Sequence, residues 1–411
     1  MLVVDSESRN RCLRVVIVIE NTSYTYDSRI SNIARTLRRE RHQVWVICPR
    51  YPGDPWKRVE HGITVYSYPL PRFPAGVIGH LLEYIYSFAV IGVMTLTAFF
   101  KIRFDVIHIC NPPDVMFLLG RFFRLLGCKF VFDLHDLCPE LWQLRYRKWP
   151  LGHKLVLGVE RLAVKAADHV LVTSETALQR IRDRSGIGYH SVTMVRNGPN
   201  IDRPSAASFK IATEWNSIEV GYVGQMNPQD GVDKLLLAAH HIRHDLGRTD
   251  IRFVLIGGGS SFDMLRGMAT QLGLSDCVSF TGFLAPQDVV ARLLPCALCV
   301  QPDPKNRFND SCVMVKSLEY MALAKPVVAF DLDETRRVCG DAALYASGNC
   351  PRNLANEILA LADDPALRHN LGTRGRRRVE EQLAWSFSEP RLLDVYRSLV
   401  KSKAGVRQLA V

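Results

Sequence analysis

Apolar residues in this chain come in two alternating rhythms, short continuous runs and longer stretches at helical spacing. Residues 14–20 (RVVIVIE) are almost uninterrupted apolar, the pattern of a parallel strand covered on both faces. Residues 30–39 are helix-like and 43–48 (QVWVIC) read as the next strand, a β-α-β opening that predicts a doubly wound α/β sheet. The rhythm continues with strands at 105–110 (DVIHIC) and 129–136 (KFVFDLHD), a helix at 159–167 and a strand at 169–174 (HVLVTS). It restarts after Asn197-Gly198, a turn signal, with strands at 219–224, 251–256, 278–282, 297–300 and 326–330 separated by helix-length segments. Two α/β lobes follow: residues 1–200, a linker at 201–216, a second lobe at 217–384, and a terminal helical segment within 385–411.

The stretch 297–336 gathers the most polar chemistry. An apolar strand runs into Gln301-Pro302-Asp303-Pro304, a loop signal. Residues 313–323 then place Val315, Leu318, Met321 and Ala322 at helical spacing, with Asp310 or Ser311 expected as N-cap. Lys316 and Glu319 are three apart and so share a helix face. Lys325-Pro326 ends the helix before the next strand. The helix start therefore faces a strand's carboxyl end, where open α/β sheets bind ligands and where phosphate is favoured.

Two glycine features belong with it. Gly257-Gly258-Gly259 follows a strand and precedes a helix, so its amides can approach a phosphate, although such runs also serve tight turns. Gly224-Gln225 opens a second loop that ends at Asp230-Gly231. In the first lobe the loop 21–28 lacks glycine and is no dinucleotide fingerprint.

Composition narrows the class. With 411 residues, 47% of them hydrophobic, the chain can bury two cores and is neither disordered nor fibrous. Its eleven Cys lack even pairing and suit reduced thiols in the cytoplasm. Cys296 and Cys299 form a lone CxxC in an apolar run, which reads as core, and no zinc site is expected. The first residues lack an apolar secretory segment. The stretch 85–100 is uncharged and apolar but shorter than the roughly 20 residues of a spanning helix. Glu83 on one side, and Lys101 with Arg103 on the other, limit it, so it reads as a buried or half-buried helix or as one lying in a membrane interface.

Of the net charge of +11, residues 1–200 carry nearly all, with 27 Lys and Arg against 17 Asp and Glu. Such a basic lobe suits an anionic lipid surface, or is simply solvated. No zinc finger, RNA-recognition signature or basic aromatic helix is present, so nucleic acid is the weaker partner.

The motifs NPPD (111–114), FDLHDLCPELW (132–142) and NDS…K…EYMA…KPVVAFDL (309–332) resemble the family-four retaining glycosyltransferases of the GT-B fold, in a branch that builds bacterial surface polysaccharides. The resemblance covers most of the chain, roughly residues 14–396. It implies two Rossmann-like lobes, a nucleotide-sugar donor without metal or other cofactor, and transfer of a hexosyl or N-acetylhexosaminyl group to a lipid-linked or oligosaccharide acceptor. It implies catalytic roles for His135, Lys316 and Glu319. It places the donor at Gly224, Gln225, Gly257, Gly259, Asn309, Asp310, Ser311 and Val313, and the acceptor at Asp27, Arg29, Asn111, Asp136 and Glu140. Two departures stand out: Ser311 occupies the family's first-Glu position, and Gln225 and Asp230 stand near where many members present an Arg and a Lys to the pyrophosphate.

Lys316 and the helix start would then take the charge of the departing diphosphate, and Glu319 would accept hydrogen bonds from ribose. Asp331-Leu332-Asp333 has the form of a metal-binding pair but lies outside the phosphate-holding segment. The expected setting is cytoplasmic and peripheral on the inner face of the cell membrane. Two alternatives remain open, a sugar-nucleotide epimerase of the same fold and a non-catalytic partner in polysaccharide assembly.

Overall fold

The computed structural model describes residues 12–51, 53–71, 73–74, 76–188, 191–201 and 218–407. Its chain divides into two compact units, Met1–Asn197 with Ser386–Val411, and Gly198–Trp385. The expected linker, apart from Ile201, lies outside the described residues.

The first unit is built on β1 (Arg14–Val18), β2 (Gln43–Arg50), β3 (Lys57–Glu60), β4 (Ile63–Pro69), β5 (Val106–Cys110), β6 (Lys129–Leu134), β7 (His169–Val172) and β8 (Val192–Met194). Their order is β3-β4-β2-β1-β5-β6-β7-β8, parallel throughout except for β3 against β4. Strand order reverses at β1 and β5, so the crevice at their carboxyl ends is where such a sheet takes ligands. Continuous apolar runs fill the centre because both faces are covered, and every residue of β5 is buried. The β3-β4 pair was not expected. Its outer member, KRVE, is a charged edge strand with no apolar run to betray it.

The helix Val77–Ile102 is longer than the apolar stretch 85–100, running through Glu83 and Lys101 and stopping at Arg103, whose φ of 48° ends the helical repeat. The half-buried reading fits this helix, which turns one stripe to the core and leaves the other side open. Only Gly79, Ser87, Ile91, Thr95 and Phe99 are buried, while large apolar residues such as Ile78 and Phe100 are exposed.

The second unit is built on β9 (Ile218–Val223), β10 (Ile251–Ile256), β11 (Val278–Gly282), β12 (Leu298–Gln301), β13 (Val327–Phe330) and β14 (Ala343–Ala346). All pair in parallel in the order β11-β10-β9-β12-β13-β14, so the topological switch falls between β9 and β12. Cys296 and Cys299 are both buried, as expected of core residues, with their sulfurs against Gly221 of β9. The terminal helix is Trp385–Arg407, and from Ser386 onward it belongs to the first unit. Its Tyr396 is fully buried and bonds His108 of β5.

Candidate active site

At the β9/β12 switch the chain places charge. Beyond β12, Asp303 is buried and accepts both hydrogen bonds of an ion pair from Lys316 Nζ, each at 2.9 Å. The lysine side chain is only 10% exposed, so a long cation is held in one place. Its ammonium also lies 5.0 Å from the centre of the Tyr222 ring of β9, within cation-π range. The Tyr222 hydroxyl donates to the carbonyl of Gln225 and fixes the loop above. Lys316 Cε stands 3.2 Å from where a Cβ on Gly224 would lie. The ammonium stem thus reaches under the loop in which Gln225 and Asp230 replace the cations of the resembled family.

Asp230 adds a second carboxyl. Burial pushes it up to about 6, Lys316 opposing and Asp303 adding to the shift. Asp303 is likewise raised by burial, against the pull of Lys316. Two carboxyls and one ammonium therefore share the switch point.

The helix carrying Lys316 is Val315–Ala322, with Met314 as N-cap and no side-chain cap. The expected cap at Asp310 or Ser311 is corrected: Asn309–Ser311 form a separate 3₁₀ turn. Ser311 is buried and its hydroxyl donates to the Phe308 carbonyl at 2.6 Å. Asn309 is also buried, its amide donating to the carbonyls of Pro304 (2.8 Å) and Gln229 (3.1 Å). Both brace loops through these bonds, and the Val313 side chain is packed in the core. Asp310 is paired with Lys305 at 3.2 Å and accepts from the Asp333 amide. Lys316 and Glu319 are half-buried while Ser317, Leu318, Tyr320 and Met321 are buried, so the two charged residues do share one outward face.

The glycine triplet serves backbone packing. A Cβ on Gly257 would meet the Gly224 carbonyl oxygen at 2.0 Å, and one on Gly259 the Met226 carbonyl at 2.6 Å. Gly224 N donates to Ile256 O and Met226 N to Gly258 O, so the two loops are laced together by main chain. Neither Gly257 nor Gly259 has room for a side chain.

In the first unit the hub is Asp133, at the end of β6 and fully buried. It receives Arg29 through Nε (2.9 Å) and Nη2 (2.6 Å), His108 Nε2 at 3.2 Å and His135 Nε2 at 3.0 Å. Burial alone would raise its carboxyl, but the Arg29 and His135 charges hold it well below the usual range. A permanent carboxylate only accepts, so both histidines donate Nε2–H to it. Burial lowers His108, whose Nδ1 therefore accepts from Tyr396 OH at 2.8 Å. Burial also works against a charge on His135, yet Asp133 outweighs it and the imidazole is raised. His135 keeps 14% of its side chain open, and the raised imidazole favours the protonated form, in which Nδ1–H can donate.

Arg29 and Glu140, expected on the acceptor side, are both buried in ion pairs of the first unit. Arg29 is spent on Asp133, on the Val195 carbonyl and on Asn197 Oδ1 at 2.7 Å. Glu140 is buried and held by Arg180 and Arg184, the latter also pairing with Glu160. Asp27 caps the helix Ser28–Arg39 by accepting from the Ile30 amide. Asn111 is buried between Asp114 and the His135-Asp136 backbone, which it fixes through Oδ1 at 2.6 and 3.2 Å. Asp136 stays half-buried, its carboxyl raised by burial. Asp133, Asp303 and Tyr222 were missed as site residues because their burial and partners are tertiary facts.

Among the described residues, one trio lies at metal-ligand spacing, His108, Cys110 and Asp133. The Arg29 guanidinium already sits on Asp133, so the position a cation would take is filled by one. Asp331 is turned to Arg336 at 2.7 Å and Asp333 to Lys305 at 2.9 Å, both at the surface.

Residues 26–198 match the Glycosyl transferase 4-like domain family, and residues 217–364 match the Glycosyl transferases group 1 family. Each lobe thus matches a glycosyltransferase domain family, and the fold is of the GT-B type. Relatives include the 2-deoxystreptamine glucosyltransferase of Streptomyces kanamyceticus, 24% identical over 59% of this chain and 64% of that protein. The D-inositol 3-phosphate glycosyltransferase of Kineococcus radiotolerans is 26% identical over 61% of this chain and 62% of its own. The match thus spans somewhat less than two thirds of these relatives. Among solved structures, the sucrose-phosphate synthase of Thermosynechococcus elongatus superposes with a TM-score of 0.78 at 18% identity, covering 95% of this chain and 100% of that one. WaaG, a glycosyltransferase involved in lipopolysaccharide biosynthesis, gives 0.66 at 15% identity, covering 92% and 98%. HepE of Anabaena, in complex with UDP and glucose, gives 0.66 at 17% identity, covering 94% and 100%. All three share the two-lobed GT-B fold.

Proposed function

We propose that the protein is a retaining glycosyltransferase that moves a hexosyl or N-acetylhexosaminyl group from a nucleoside-diphosphate sugar to a lipid-linked or polysaccharide acceptor of a cell-surface glycan, without a metal, in the cytoplasm. The observation that carries this reading is Lys316, a cation fixed by Asp303 and Tyr222 beneath the Gly224 loop at the topological switch of the second sheet. Negative charge develops there as the bond from the anomeric carbon to the diphosphate breaks, and a preorganised ammonium stabilises it. The acceptor hydroxyl attacks the same face and its proton passes to the departing phosphate oxygen, so no protein nucleophile is required. Glu319, on the same outward face as Lys316, accepts hydrogen bonds from ribose hydroxyls. His135 donates Nδ1–H to a sugar or acceptor oxygen.

HepE carries UDP in its solved complexes, which makes a uridine nucleotide the first ligand to try. The test is calorimetric binding of UDP, GDP, ADP and CMP with EDTA and then with magnesium or manganese. One preferred diphosphate, bound equally in EDTA, supports the reading. Binding that needs the metal overturns the metal-free part. Gln225 and Asp230 in place of cations favour a second reading, a non-catalytic partner, and failure to bind any nucleotide would select it.

A further inference from the structure

The first unit presents an apolar, cationic face that the donor chemistry does not use. Three helices, Val77–Ile102, Phe117–Leu125 and Pro150–Ala166, bury their inner sides in one core against the sheet, through Ile91 and Phe99, Leu119 and Phe123, and Ala163 and Val164. They are neighbours: the Phe99 and Phe123 rings lie 5.6 Å apart, and Arg124 reaches the Ala166 carbonyl at 2.8 Å. Their outer sides keep large apolar groups in the open. Leu151 is 79% exposed, Leu125 78%, Ile78 74% and Phe100 64%, with Trp149 and Leu155 beside them in exposure. Scattered exposed leucines need no explanation, but this density over three adjoining helices does.

Charge identifies the occupant. Residues 77–166 contain eleven Lys and Arg, of which all but Lys129 are exposed. They also contain seven Asp and Glu, and none of these is exposed: Asp105, Asp114, Asp133, Glu140 and Glu160 are buried, and Glu83 and Asp136 are half-buried. The region therefore shows solvent its cations and hides its acids. A second copy of the chain would set these cations against their own kind. A negatively charged bilayer would meet both features at once, cations at the headgroups and apolar side chains below them.

We propose that this three-helix face is a docking surface for an anionic lipid bilayer, on which the protein lies with the helices in the membrane plane. Spanning is opposed by the packing, because the buried stripe of Val77–Ile102 is part of the first unit's core. The proposal stands independently of the donor site.

The test uses the full chain with phosphatidylglycerol-containing vesicles and with pure phosphatidylcholine vesicles, in flotation at low and high salt. Binding to the anionic vesicles, weakened by roughly tenfold at high salt, is expected. Trp149 emission should shift to the blue on binding, and the shift should vanish in Trp149→Phe. Leu151→Asp with Leu155→Asp should lower vesicle affinity by about tenfold or more with an unchanged melting temperature, since both residues are exposed. Lys148→Glu with Lys154→Glu should do the same by a different term. No binding to anionic vesicles, equal binding by wild type and both variants, or a solution dimer broken by the leucine variant would overturn the proposal.

Discussion

Lys316 holds its ammonium 2.9 Å from each carboxylate oxygen of Asp303, thirteen residues earlier in the chain, and both side chains are nearly withdrawn from water. Such a pair has two separable consequences. Removing one partner strands the other charge and costs about 3–5 kcal/mol, whereas replacing both with apolar groups is often neutral. Lys316→Met should therefore lower both the thermal midpoint and transfer. The double variant Lys316→Met with Asp303→Leu should recover most of the midpoint while transfer stays down by about 10²–10³. Recovery of transfer in the double variant would remove Lys316 from the chemistry.

Glu319→Gln keeps size and removes charge on the outward face of the same helix. A charge-assisted hydrogen bond is worth about 1.5–3 kcal/mol, so nucleoside-diphosphate affinity should fall by about 10–100-fold. Wild type should discriminate against a deoxyribose analogue, and the variant should bind ribose and deoxyribose forms alike. Calorimetry reads both.

The Asp133 hub predicts opposite outcomes for two of its partners. Arg29→Met leaves a buried carboxylate short of its main counter-charge and should destabilise by about 3–5 kcal/mol in denaturant unfolding. His135→Asn should stay folded and lose about 10²–10⁴ in kcat. The raised imidazole of His135 is charged below its folded pKa, so the stability it contributes is complete below the ordinary histidine value and is lost as pH rises through the raised one. Activity that needs the imidazolium should fall over the same alkaline limb, and that limb should be missing from the His135→Asn profile.

Glu20, just past the end of β1, is buried, and one carboxyl oxygen, Oε1, has no hydrogen-bond partner. Burial chiefly, with the charge of Glu83, pushes it up from 4.5 to about 8, while Ser87 opposes. The folded state keeps the proton while the unfolded state gives it up above 4.5. Its contribution to stability is thus full below pH 4.5 and lost by about pH 8, a swing of roughly 4–5 kcal/mol. Glu20→Gln should be markedly more stable than wild type at pH 8 and comparable at pH 4.5, measured by thermal unfolding across that window.

The sheet was legible where strands are covered on both faces. VVAF of β13 is apolar without interruption, and VIHIC of β5 is broken only by His108, because every position of both strands is buried. The β3-β4 pair escaped because a charged edge strand and an alternating partner carry no such run. In the site, helical spacing was enough to put Lys316 and Glu319 on one face. It was not enough to separate ligand contacts from buried ion pairs. Arg29 finds Asp133 across 104 residues, and Glu140 finds Arg180 and Arg184 across 40 and 44, separations at which no local pattern operates. Asp303 read as part of a Pro-flanked loop, because nothing in Gln301-Pro302-Asp303-Pro304 announces that the carboxylate turns inward.

The bond between Tyr396 and His108 ties the close of the chain to the middle of the first sheet. A ribosome releases the first 197 residues long before Tyr396 emerges, so through most of synthesis the His108 side chain waits without the phenol that completes its surroundings. The second unit has every segment it needs by Trp385 and can mature first, reversing the usual order in which nascent domains settle. A fragment cut at Asn197 would therefore be an unfinished domain, and supplying residues 386–407 as a separate peptide is the natural way to complete it.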